Sequence, residues 1–241
     1  MLVSLVLARL LAPESFGLLA SVAVFFTTAL QLIDGGIGSR IVQKKEIREE
    51  DYIAFFWCNA AVSMLTCGLL MIFAGAIARF YDNPQLRSVV MAMAAVVFLM
   101  NAGRVQELRL VREIRFKIIS LVTIGSVVAG SITGLILAFA GCGVWAILGQ
   151  QLIIYLVRAA AFWRLIPWRP AGFPAWSAVK DLYAFGLPLM ASQTIRGFSE
   201  QLINVMTARY VGIVPLGYYD RGRFIPDNVT ISYSGFFLEP I

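Results

Sequence analysis

Histidine is missing from all 241 residues, and with it the commonest general base and the commonest zinc ligand. Charge is scarce too, at 14% of residues against 59% hydrophobic, and the mean hydropathy is +0.79. A soluble domain of this length cannot hide so much apolar surface, so lipid must solvate most of the chain. The three cysteines, Cys58, Cys67 and Cys142, lie in or beside apolar stretches without metal-ligand spacing and read as small buried hydrophobes. No polar stretch is long enough for a sizeable aqueous domain, so the work happens within or across a membrane. The net charge of +6 calls for no nucleic acid, because Lys and Arg of membrane proteins gather in cytoplasmic loops.

What is present is grease in long runs. Residues 15–33, 52–78, 88–103 and 118–157 carry no charge, and a spanning helix needs about 20 mostly apolar residues. The expected fold is therefore all-α, a polytopic transmembrane helical bundle. Glycine, proline and charge clusters place helices at about 1–11, 16–33, 52–79, 86–108, 118–140, 144–166, 181–210 and 216–238. The run before Arg9 is too short to span and has neither a basic flank nor a cleavage site, so it reads as a truncated helix rather than a signal peptide.

Alternate connections differ sharply in basic content. Those at 39–51, 104–117 and 158–180 hold thirteen of the twenty Lys and Arg residues, whereas the opposite ones hold only Arg9, Arg79, Arg87 and Arg209. The first set is expected to be cytoplasmic. In "DGGIGSRIVQKKEIREEDYIAFFW", residues 40–51 then form a solvated cytoplasmic turn, with lipid headgroups as the alternative contact, and Tyr52, Phe55, Phe56 and Trp57 begin re-entry at an aromatic belt.

The chain also repeats itself. "LARLLAPESFGLL" (7–19) and "TARYVGIVPLGYY" (207–219) align at an offset of 200, pairing Ala8 with Ala208, Arg9 with Arg209 and Gly17 with Gly217. Six helices between them put both loops on the same outer face, as a parallel internal duplication requires. Two six-helix halves need more residues than are present. The expected organisation is a six-helix lobe over 1–166 with its first helix truncated, a cytoplasmic linker over 167–180, and the first two helices of a second lobe over 181–241.

Several stretches, read in order, resemble the Wzx-type polysaccharide flippases of the multidrug/oligosaccharidyl-lipid/polysaccharide superfamily. They are "LARLLAPESFGLLA" (7–20), "DGGIGSRIVQKKEI" (34–47), "FFWCN" (55–59), "LRLVREIRFK" (108–117), "GCGVWAILGQQL" (141–152), "WRP" (168–170) and "ARYVGIVPLGYYDRGRFIP" (208–226). The resemblance implies two helical lobes around a central cavity that opens alternately to each side of a bacterial inner membrane. It implies a polyprenyl-diphosphate-linked oligosaccharide as substrate, membrane lipids as partners, a coupling cation or proton, and no cofactor. Such relatives have twelve to fourteen helices, so this chain reads as beginning in the first and stopping in the eighth.

An anionic sugar headgroup can cross hydrocarbon only through a wet cavity offering cations and hydrogen-bond donors, so ionisable residues inside spans are the candidates. Arg196, Glu200 and Asn204 are spaced i, i+4, i+8 and share one face of the helix at 181–210. Either that face lines the cavity, with Arg196 on diphosphate or an acidic sugar and Glu200 carrying the coupling ion, or Arg196 and Glu200 neutralise one another between packed helices. Gln31, Asn59 and Asn101 are cavity contacts or interhelical hydrogen bonds. Asp34 ends its helix beside Gly35, Gly36 and Gly38, where capping and packing compete with a cytoplasmic gate. Arg40 belongs to the same gate or headgroup region. Arg104 and Glu107 either meet the entering diphosphate or snorkel to the interface.

Two motif matches carry no function. "GCGVWA" fits G-x-G-x-x-A but follows a spanning helix where a dinucleotide site needs a strand, and "NVT" at 228–230 falls inside an expected helix. Three other readings compete: a drug or organic-cation antiporter, which calls for acids rather than arginine in the cavity; a non-transporting fragment of a flippase; and a membrane-embedded glycan enzyme. No carboxylate pair in an aqueous loop supports glycosyl transfer.

Overall fold

The computed structural model describes residues 7, 10–34, 38, 41, 42, 44, 47–174, 176–220 and 222, without the side chains of Asp34, Phe185 and Glu200. Arg40, most of the first expected helix and the end of the last lie outside the described residues, as does the "NVT" stretch. The elements are α1 (Pro13–Asp34), α2 (Glu49–Phe80), α3 (Gln85–Asn101), α4 (Arg104–Arg112), α5 (Phe116–Phe139), α6 (Val144–Leu165) and α7 (Trp176–Tyr210). A further helical stretch covers 213–220, and no strand occurs among the described residues. The protein is an all-α polytopic bundle.

Five described helices are long and apolar enough to cross a membrane: Pro13–Ile33, Glu49–Phe80, Gln85–Arg112, Phe116–Phe139 and Val144–Leu165. Inside such a medium every backbone polar group must be satisfied by the segment itself or its neighbours. The span 85–112 shows how, because it breaks into α3 and α4 at Ala102–Gly103. The Ala102 carbonyl at the break accepts the indole N–H of Trp163 on α6 at 2.5 Å, and Asn101 returns its amide to the Val97 carbonyl at 2.8 Å. This is a helix break with identifiable partners rather than a loose joint.

Packing is widest between α5 and α6, α2 and α3, α1 and α7, then α3 and α6. The α5–α6 hairpin turns on Gly141 and Gly143, at φ 74° and 56°, a backbone region glycine enters without Cβ strain. The largest apolar cluster joins α1, α2, α3 and α6 through Val22, Ala74, Leu86, Val89 and Leu148, and reaches Ala208 and Leu216. The two copies of the sequence repeat therefore share one core.

The charged connection 40–51 corrects the expectation of a plain solvated turn. α2 starts at Glu49, so Glu49, Glu50 and Asp51 form its first turn, where carboxylates complement the positive end of the helix dipole. Asp51 is 3% exposed and Ile41 fully buried. The Asp51 carboxylate accepts the Arg48 backbone N–H at 2.9 Å and the Lys44 ammonium at 2.8 Å, while Lys44 also reaches Asp181 on α7 at 3.3 Å. Those hydrogen bonds, Asp51 first, raise the Lys44 pKa against the opposing desolvation. The connection ties α2 to the start of α7. That helix begins at Trp176, five residues before the expected start, because Ala178 and Leu182 join a cluster with Tyr52, Phe55, Val105 and Leu108.

Candidate functional site

The break between α3 and α4 places three polar groups of one span beside one cavity. Asn101 ends α3, and Arg104 and Glu107 follow on α4 at i, i+3, so both face the same way. Arg104 Nη1 donates to Glu107 Oε2 at 3.1 Å. The other carboxylate oxygen, Oε1, accepts a hydrogen bond from Arg158 Nη2 on α6. One carboxylate thus bridges two guanidiniums on two helices. Their side chains are sheltered, at 30% exposure for Arg104, 15% for Glu107 and 25% for Arg158.

This triad opens onto a cavity of about 210 Å³ between α1, α3, α4, α6 and α7, lined also by Gln31, Asn101 and Gln193. The two arginines and one glutamate sum to a formal +1. An arginine carries five N–H donors in a planar fork, and Arg158 gives the carboxylate its Nη2. Arg158 Nε and Gln31 Oε1 are buried without a protein hydrogen-bond partner. An unmet buried donor or acceptor costs about 1–3 kcal/mol, which makes the cavity receptive to a polar ligand that can accept from one and donate to the other.

Four candidate residues from the sequence therefore meet here: Gln31, Asn101, Arg104 and Glu107. Arg104 and Glu107 turn toward the carboxylate bridge and cavity rather than out to the interface. Asn59 sits one helix away, buried on α2, and donates to the Asn101 carbonyl at 3.5 Å. With Ser63, Phe56 and Trp163 it lines a second cavity of about 310 Å³, of which Asn101 forms a shared wall.

α7 meets the first cavity through Gln193, which stands two turns before Glu200 and so on the same side of the helix. Gln193 lines the cavity, and Gly197 lies one turn on, so close to Gln31 that a Cβ there would fall 1.9 Å from Gln31 Nε2. Arg196 is exposed and outside the lining. Asn204 is buried and donates to Gln201 Oε1 of its own helix at 2.7 Å. The side chains of Glu200 and Asp34, and all of Arg40, lie outside the described residues.

Sequence reasoning missed Arg158 and Gln193. Arg158 was counted among the cations of a connection, although it stands eight residues before the end of the expected helix 144–166. A cation that deep in a span is itself the signal for a functional group. Among the described residues no cluster of three His, Cys, Asp or Glu side chains is placed to hold a metal ion.

Comparison with known proteins adds the family. The profile of a family described as polysaccharide biosynthesis protein matches residues 6–234. The chain is 28% identical over 231 residues to the succinoglycan biosynthesis transport protein ExoT of Rhizobium meliloti (strain 1021), covering 94% of this chain and 47% of that one. It is 27% identical over 222 residues to the lipopolysaccharide biosynthesis protein WzxC of Escherichia coli (strain K12), covering 89% and 44%. Against the teichuronic acid biosynthesis protein TuaB of Bacillus subtilis (strain 168) the identity is 22% over 191 residues, covering 78% and 40%. The chain spans about half the length of the curated relatives it matches, or less. No solved structure matches it.

Proposed function

Because the chain belongs to the polysaccharide biosynthesis protein family, the Wzx-type polysaccharide transporters, we propose that it serves to flip a lipid-linked oligosaccharide. The substrate is a polyprenyl-diphosphate-linked sugar repeat unit, carried from the cytoplasmic to the outer leaflet of a bacterial inner membrane without covalent chemistry. Residues 1–166 act as one lobe, 167–180 as the linker between lobes, and 181–241 as the opening of the second.

One observation carries this reading: two arginines held around one carboxylate, on the wall of a polar cavity inside an apolar bundle. Burying such charges among spanning helices is costly, and they persist where something hydrophilic has to pass. Guanidinium forks suit phosphate oxygens, and the amides of Gln31, Asn101 and Gln193 suit sugar hydroxyls. The formal +1 disfavours an organic cation as cargo. Arg196 and Glu200 serve as a second polar step along α7, with Glu200 carrying the coupling cation or proton.

The test is made in cells. Arg158→Ala at the chromosomal locus should abolish surface polysaccharide while lipid-linked repeat units accumulate in the inner leaflet. An unchanged precursor pool with normal surface polysaccharide sinks the proposal, and cationic-dye efflux lost in its place supports an antiporter.

A further inference from the structure

Glu107 occupies the position an anionic ligand would take. Its two oxygens are engaged separately, one by Arg104 Nη1 at 3.1 Å and the other by Arg158 Nη2, so the carboxylate is the link between two cations on different helices. It is also the least exposed of the three, at 15% against 30% and 25%, and all three side chains line the cavity. Arg158 uses its fork on Glu107 through Nη2 alone, and its Nε donor is buried and unmatched. On the facing wall from α1, Gln31 Oε1 is a buried acceptor without a donor. The two unmet atoms ask for one molecule carrying an anionic oxygen and a hydroxyl group.

We propose that Glu107 is a resident counter-anion that an incoming diphosphate must displace from Arg104 and Arg158, so that it sets the charge the cavity selects. This inference rests on the anion-binding role proposed for the cavity. A monoanion that replaced Glu107 would exchange one carboxylate-type contact for another and leave the displaced glutamate unpaired in a sheltered place, which is costly. A diphosphate offers more oxygens and more charge than the carboxylate it displaces, enough to engage Arg158 Nε as well as both Nη donors. Its attached sugar can donate a hydroxyl to Gln31. Glu107 therefore acts as a specificity-determining residue rather than as scaffolding for the arginines.

The two roles predict opposite signs. Inorganic pyrophosphate and acetate are titrated calorimetrically into the full chain in lipid nanodiscs. The unmodified protein should bind pyrophosphate and show no acetate binding. Glu107→Gln removes the competitor, so pyrophosphate should bind tenfold or more tightly and acetate binding should emerge. Glu107→Asp, too short to span both guanidiniums, should fall between and keeps the test open where Glu107→Gln does not fold. Weaker pyrophosphate binding in a folded Glu107→Gln or Glu107→Asp protein overturns the inference, because Glu107 would then only position the arginines. Unchanged affinity in those proteins overturns it as well. Failure of pyrophosphate to bind any of the three folded proteins strikes at the anion-site reading itself, and so is distinguishable.

Discussion

Gly17 and Gly217 meet with no room for a side chain between them. A Cβ on Gly17 would lie 1.9 Å from the carbonyl oxygen of Ile213, and one on Gly217 would lie 2.0 Å from that of Pro13. Ile213 is the counterpart of Pro13 at the same offset of 200 that relates the glycines, so the two contacts are a single contact repeated from either copy. The sequence duplication has thus become a local two-fold, in which each copy packs the same atoms against the other.

Gly17→Ala should therefore destabilise the protein by about 1–3 kcal/mol, the usual cost of overpacking a close contact. Gly217→Ala should match it. The double variant should cost clearly less than the sum, since the first methyl already separates the helices that the second would separate. Thermal unfolding of the four proteins measures this cycle, and strict additivity would refute the shared contact.

Around Glu107, loss and replacement should differ. Glu107→Ala alone removes the carboxylate shared by Arg104 and Arg158 and should cost about 2–4 kcal/mol, somewhat less than the ~3–5 kcal/mol of a fully buried pair because these side chains are part-exposed. Replacing Glu107 with Leu and Arg158 with Met together should recover most of that stability while abolishing pyrophosphate binding. Chemical denaturation in mild detergent gives the first quantity and calorimetry the second.

At alkaline pH, Tyr81 should govern part of the stability. It follows α2 immediately, is 6% exposed, and its hydroxyl has no protein partner. Burial pushes its pKa up to about 12 from the usual 10. The folded chain then holds the phenol proton more tightly than the unfolded one, so stability is fully present below pH 10 and falls as the pH rises from 10 to about 12. Lys44, raised above 10.5 by its Asp51 hydrogen bond, works in the same direction, its contribution being lost above that value. Tyr81→Phe should leave the melting temperature at pH 7 unchanged or higher and flatten the decline above pH 10. An undiminished decline would assign the loss to other groups.

At the end of the bundle that carries most of the basic residues, Glu49 pins the connection between α6 and α7. Its carboxylate accepts the Trp168 indole N–H at 2.9 Å and Arg109 through two nitrogens at 3.0 and 3.3 Å. Trp57 holds the same connection further on, donating to the Gly172 carbonyl at 3.0 Å and stacking on Phe173. An exposed ion pair contributes about 0–1 kcal/mol, so Glu49→Ala should barely move the melting temperature. Chymotrypsin cleavage after Trp168 should nevertheless rise severalfold, and equal cleavage rates would show that Trp57 suffices.

Most of the helices were legible because they are long, apolar and bounded by glycine, proline or charge, as with Phe116–Phe139 before the glycine hairpin at 141–143. The expected single helix 86–108, however, is broken at Ala102–Gly103 into α3 and the short, charged α4. The charged turn was legible only in part. Its composition announces solvent, but Ile41 and Asp51 are buried by a partner, α7, more than a hundred residues away. The i, i+4, i+8 spacing correctly put Arg196, Glu200 and Asn204 on one face of a helix. Which residues on that side of α7 line the first cavity depends on how the helix docks on α1, where Gly197 leaves room for Gln31, and Gln193 lines it.

Composition alone decided that this chain lives in a membrane as a helical bundle, because a hydrocarbon medium rewards apolar side chains and leaves backbone amides few solutions other than the helix. Its repeat likewise marked 7–19 and 207–219 as related stretches. Only the tertiary structure decided that Glu107 lies between Arg104 and Arg158, since 51 residues separate the carboxylate from the second cation and helical periodicity relates only positions a few residues apart. Charge pairing across helices is a property of how they dock, and docking is settled by the packing of side chains from every part of the chain at once.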